Sequence, residues 1–192
     1  SLYWEFSSGL IHYHTLGVGP YPETFMEPLY PLFLAATRTL TSDNLFLVML
    51  FQILFSSLGA VYLYKLSLEL SGEKAVANLA ALFYSTYPYL VYQSVMIVET
   101  SFFMTLLIVS CYFYLKSGCP GIGYSLKTGI AFGLTLLTRM AALPIGALSI
   151  AFLLWKKKYI KAFSIFFVAT LVVLPLGVRN YRLQRVFLPT RG

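Results

Sequence analysis

Charge is what this chain has least of. Only 11% of its 192 residues are Asp, Glu, Lys or Arg, against 58% hydrophobic residues, and the mean hydropathy is +0.75. A soluble domain carries about 25% charged residues, so a soluble globular fold is excluded and a polytopic membrane protein is expected. Acids are scarcer still, at seven, which confines any carboxylate chemistry to a short roll of candidates. There are two cysteines. Cys111 lies in an apolar run and Cys119 in a short loop, which rules out a disulfide framework and a CxxC site. No charged segment followed by an apolar stretch and a small-residue cleavage site opens the chain, so no signal peptide is read. Both ends, Ser1 and Gly192, read as cut edges. No repeat and no low-complexity tract stands out.

What is present is a series of apolar runs: 44–64, 75–93, 99–115 and 162–178, with the longer stretch 122–155 interrupted by Arg139. One helix over 122–155 would far exceed the roughly 20 residues a bilayer needs. Splitting it at Arg139 gives two short, buried helices and six spans in all. The expected fold is therefore an all-α transmembrane bundle of about six spans: an external segment 1–42, six helices over 43–178, and the start of an external loop at 179–192. Within the first segment, "PLYPLFLAATRTL" (28–40) is apolar but short, with prolines at its start, which suits a helix lying along the outer leaflet.

The charges divide with these spans. Loops 65–74, 116–127 and 156–161 hold all the lysines, and the other side holds all the arginines, Arg38, Arg139, Arg179, Arg182, Arg185 and Arg191. The positive-inside rule makes the lysine side cytoplasmic. The outer side then carries six Arg and five acids, Glu5, Glu23, Glu27, Asp43 and Glu99, and any chemistry belongs there.

Glu99 is the single acid between Ala75 and Leu115. An unpaired carboxylate at a helix centre in hydrocarbon costs about 2.5–3.5 kcal/mol on insertion scales. Two readings stand: a helix N-terminus favoured by the dipole, or a carboxylate lining a polar cavity. Glu27, before the proline of the interfacial helix, has the same two readings. Arg139 either snorkels to the interface or faces phosphate or Glu99. Arg179, Arg182 and Arg185 recur at helical spacing and oppose the positive-inside rule. Lipid headgroups or the phosphate of a lipid-linked substrate would account for them. Tyr84, Tyr87, Tyr89 and Tyr92 read first as an interfacial aromatic belt. His12 and His14 alone make a weak metal site.

Taken in order, "MEPLYPLFLA", "VETSFFMTLL", "GIAFGLTLLTR" and "LPLGVRNYRLQRVFLPTRG" resemble the N-terminal half of polyprenyl-phosphate-sugar-dependent glycosyltransferases of the GT-C superfamily. The bacterial branch related to dolichyl-phosphate-mannose–protein mannosyltransferases is the nearest type. The resemblance implies an inverting membrane glycosyltransferase that moves a sugar from a polyprenyl-phosphate donor to a glycan, lipid or protein acceptor on the external face. A bacterial inner membrane and no nucleic acid partner go with it. It implies Glu27 and Glu99 as catalytic acids and Arg139, Arg179 and Arg182 as lipid-phosphate ligands. The family's base, an Asp in the first external loop, aligns just before Ser1, so the 192-residue chain is itself expected to be inactive. No cofactor is required by the sequence, and a divalent metal is compatible with it. A transporter or flippase of lipid-linked sugars, or a non-catalytic membrane fragment, is the competing reading.

Overall fold

A computed structural model of the chain describes residues 1–23 and 26–184. It is helical apart from one minimal hairpin. The elements run α1 (Leu2–Tyr13), β1 (Gly17–Val18), β2 (Tyr21–Pro22), α2 (Leu29–Leu40), α3 (Leu45–Ser71), α4 (Lys74–Thr86), α5 (Pro88–Val95), α6 (Thr100–Lys116), α7 (Gly123–Thr138), a 3-10 turn (Met140–Ala142), α8 (Leu143–Trp155) and α9 (Tyr159–Gln184). The two strands pair antiparallel, Gly17 with Pro22 and Val18 with Tyr21.

The expectation of six spans is overturned. Among the described residues only two helices are long and apolar enough to cross a membrane, Leu45–Ser71 and Tyr159–Leu183. A third span exists only if Pro88–Val95 and Thr100–Lys116, bent by 115° to one another, count as one. The reason is local. The run 75–93 is cut at Tyr87, whose extended backbone (ψ 115°) is what a following proline demands. The 122–155 stretch does break at Arg139, extended at φ −161°, but the resulting helices have 16 and 13 residues, about 24 and 20 Å at 1.5 Å per residue. An integral, multi-spanning membrane protein remains, built on two full spans with shorter helices packed between them.

The packing is that of a protein whose solvent is lipid. Phe83, Leu148, Phe163 and Trp155 are exposed on its flanks, while Ser101, Thr105, Ser110, Thr128, Thr135 and Thr138 are buried. Helix α7 is the central case. It lies against α6 on one side and α9 on the other. Gly129 and Gly133 leave no room for a side chain: a Cβ there would stand 2.7 Å from Val168 and 2.6 Å from Val172 of α9. Small residues at such a seam let backbones close up where no hydrophobic drive operates. The buried hydroxyls mostly donate to carbonyls one turn back, as Thr135 does to Ala131 at 2.7 Å, and Ser110 meets Thr135 across the seam at 3.0 Å.

Among the described residues, lysine contacts lie at one end of α3 and α9 and arginine contacts at the other. At the start of α9, Lys161 donates to the carbonyls of Ser117 (2.5 Å) and Cys119 (2.6 Å) after α6. Lys116 pairs with Glu69 near the end of α3 at 2.6 Å. At the other end of α3, Asp43 pairs with Arg38 at 2.5 Å. Arg38 is buried, donates to the Trp4 carbonyl and to Ser7 and Ser8, and lies 3.9 Å from the centre of the Trp4 ring. It fastens α2, the expected interfacial helix, to α1.

Candidate functional site

The arginine end is floored by aromatic rings. Phe55 of α3 and Phe102 of α6 stack with centroids 4.3 Å apart, Phe33 of α2 joins them at 4.8 Å from Phe102, and Tyr30 meets Phe102 at 5.8 Å. Tyr3 of α1 stands edge-on to Tyr30 at 5.0 Å. That packing sets the place where three chain segments converge.

Glu99 occupies the N-cap position of α6, but its side chain makes no capping hydrogen bond to its own helix. Its carboxylate instead engages Tyr3. The Tyr3 hydroxyl is held well above its ordinary range, first by burial, then by hydrogen bonding to Glu99 and by the charges of Glu99 and Glu27, with Arg139 acting in the opposite sense. Tyr30 is raised too, by burial and then by Glu99. Glu27, two residues before α2, accepts from the backbone N–H of Met140 at 3.3 Å. It therefore caps the 3-10 turn that follows Arg139 and not the helix beside it in sequence, since a first-turn N–H has no partner within its own helix. Arg139 is exposed and its guanidinium lies 6.0 Å from the Phe103 ring centre.

Glu27, Glu99 and Arg139, singled out in sequence, thus surround one tyrosine that the sequence did not single out. Neither carboxylate forms an ion pair among the described residues. Arg179 lies elsewhere. It donates to the backbone carbonyls of Leu16 (2.8 Å) and Glu23 (2.9 Å) and to Asn180 (3.2 Å), tying the end of α9 to the hairpin. Arg182 is exposed on the last described turn. Arg185 and Arg191 lie outside the described residues. Of the tyrosine belt, Tyr87, Tyr89 and Tyr92 are exposed and Tyr84 is half-buried. No group of three or more His, Cys, Asp or Glu able to hold a metal ion exists among the described residues, His12 and His14 included.

Beside the cluster opens an apolar cavity of about 450 Å³ between α7, α8 and α9. Met140, Leu143, Ile150, Phe166 and Val173 line it, so it begins at the residue whose N–H Glu27 holds.

Residues 22–178 match the family model described as dolichyl-phosphate-mannose-protein mannosyltransferase. No curated protein and no solved structure matches the chain.

Proposed function

The chain belongs to the dolichyl-phosphate-mannose-protein mannosyltransferase family, and on that premise we propose that its arginine end carries part of a glycosyl-transfer site using a polyprenyl-phosphate sugar donor. The observation that carries this reading is the convergence of Glu27, Glu99 and Arg139 on Tyr3, with Met140, whose N–H Glu27 accepts, lining an apolar cavity. In the proposed reaction the acceptor hydroxyl oxygen forms the new bond to the anomeric carbon. The bond from that carbon to the donor phosphate breaks, the hydroxyl proton passes to Glu99, and the lipid phosphate departs. One displacement inverts the anomeric centre.

Each role follows from chemistry. Glu99 forms no ion pair among the described residues and is faced by a tyrosine hydroxyl, so it is the carboxylate placed to take a proton. Glu27 is occupied by a backbone N–H and fixes the Arg139 turn. Arg139 and Arg182 are the exposed cations for the leaving phosphate, a task suited to a planar, permanently charged guanidinium. The lipid chain lies in the apolar cavity between α7, α8 and α9. The external face is the arginine end, and the acceptor is a glycan, lipid or protein hydroxyl.

The test is transfer from a radiolabelled polyprenyl-phosphate sugar in membranes carrying the protein with its natural flanking sequence. Glu99→Gln is expected to cut turnover by about 10²-fold or more while leaving donor binding near normal. An unchanged turnover removes Glu99 as the base.

A further inference from the structure

Gln52 is an amide buried inside the first full membrane span. It is 2% exposed and belongs to neither carboxylate's helix. Its Nε2 faces three backbone carbonyls, those of Gln93 (3.3 Å), Ser94 (3.0 Å) and Met96 (2.6 Å). Its Oε1 accepts from the Tyr30 hydroxyl at 2.8 Å. The orientation of the amide is fixed by chemistry, because carbonyls only accept and so must face the NH₂ group.

Those carbonyls belong to the end of α5 and the turn beyond it. A helix leaves its last four C=O groups without partners. Where such a group is shielded from water, leaving it unmet costs several kcal/mol. The break between α5 and α6, bent by 115°, is therefore tolerable only where something else supplies donors. Within the turn itself the Val98 N–H already goes to Met96. From across the bundle Gln52 supplies donors to Gln93 and Ser94 of the helix end and to Met96 of the turn. Three residues beyond Met96 comes Glu99.

We propose that Gln52 is a positioning residue: by capping α5 from another helix and anchoring to Tyr30, it fixes the turn that presents Glu99 to Tyr3. This rests on the reading of Glu99 as the base, but its geometry is testable without transfer. Leucine at position 52 keeps the bulk and removes both the donors and the acceptor. The turn then loses its cap and Glu99 drifts from Tyr3.

The experiment uses the 192-residue chain in lipid nanodiscs. Backbone hydrogen exchange is followed over 94–98, and fluorotyrosine at position 3 reports its own ionisation by fluorine NMR. Gln52→Leu is expected to speed exchange over 94–98 by about tenfold, the factor one lost buried hydrogen bond carries, and to lower the pH at which Tyr3 ionises, with exchange in α9 unchanged. Unchanged exchange over 94–98 overturns the strap. Faster exchange with unaltered Tyr3 ionisation overturns the link to Glu99. Should the leucine variant fail to fold, Gln52→Glu answers the same question. Its protonated side chain still donates to a carbonyl and its carboxylate does not, so protection over 94–98, taken relative to intrinsic exchange at each pH, should fall reversibly as pH rises in this variant and not in the wild type, and protection that does not change with pH overturns the proposal. Absence of sugar transfer by the wild type would defeat the catalytic reading and leave these results standing.

Discussion

Tyr3 of α1 faces Glu99 at the start of α6, and this carboxylate, which caps nothing in its own helix, adds to burial in holding the tyrosine hydroxyl above its ordinary range. The Tyr3 phenolate is therefore disfavoured by the negative charge of Glu99. Removing the charge by Glu99→Gln should make Tyr3 ionise at lower pH than in the wild type. Burial, the first cause of the shift, persists, so the value should stay above the ordinary 10.0. Fluorine NMR of a fluorotyrosine at position 3 measures it. No change would mean that the two side chains are not in contact.

A second prediction follows for alkaline stability. Tyr3 and Tyr30 both titrate above their ordinary value of 10.0 in the folded protein. Raised pKa values mean that the stability they confer is complete below that value and is lost as pH climbs through the folded-state titration. The protein should thus lose thermal stability steeply above about pH 10. Tyr3→Phe should flatten that loss, because phenylalanine has nothing to ionise. A melting series from pH 8 to 11.5 compares the two, and parallel curves would remove Tyr3 from the explanation.

Arg139 and Arg179 should separate in behaviour although both stand at the arginine end. Arg179 is committed to two carbonyls that hold the 16–23 segment. Arg179→Ala should cost on the order of 2 kcal/mol of stability, as hydrogen bonds to a charged group do when cut. Arg139 is exposed and makes no ion pair among the described residues. Arg139→Ala should leave the melting temperature nearly unchanged and raise the KM for the lipid donor by about tenfold or more. Equal thermal effects of the two changes would contradict this division.

The contrast between these arginines marks what the sequence could carry. Their grouping apart from the lysines is readable in sequence, because charge segregation depends on the order of loops along the chain. So are the break at Arg139 and the isolation of Glu99, since a charge in an apolar run is visible in one dimension. The number of spans is not. Apolar runs record how much of a helix avoids water but not how the chain bends, and the 115° bend between α5 and α6 is not written in either run. Pro88 is in view, and its cut after Tyr87 halves the run 75–93. The roles of Tyr3, Tyr30, Gln52 and Arg38 are not legible in sequence because each matters only through a partner distant along the chain, such as Gln52 with Met96 or Arg38 with Trp4.

Sidedness can be tested with α9 as the ruler. This helix of 26 residues is about 39 Å long, more than the ~30 Å hydrocarbon core. Its first turn holds the Ser117–Cys119 turn through Lys161, and its last turns hold the hairpin segment through Arg179. Cys119 and Tyr181 are then expected on opposite sides of the membrane, with Cys119 on the cytoplasmic side by the positive-inside rule. Cys119 is the better reporter at that end, being exposed where its neighbour Ser117 is buried. In a background with Cys111 replaced by alanine, a membrane-impermeant maleimide added to intact cells should leave Cys119 unlabelled until the membrane is opened. With Cys119 also replaced, Tyr181→Cys should label at once. Labelling of both from outside would show that α9 does not cross. Labelling of Cys119 alone would invert the protein, and would put the carboxylates around Tyr3 on the side facing the cytoplasm.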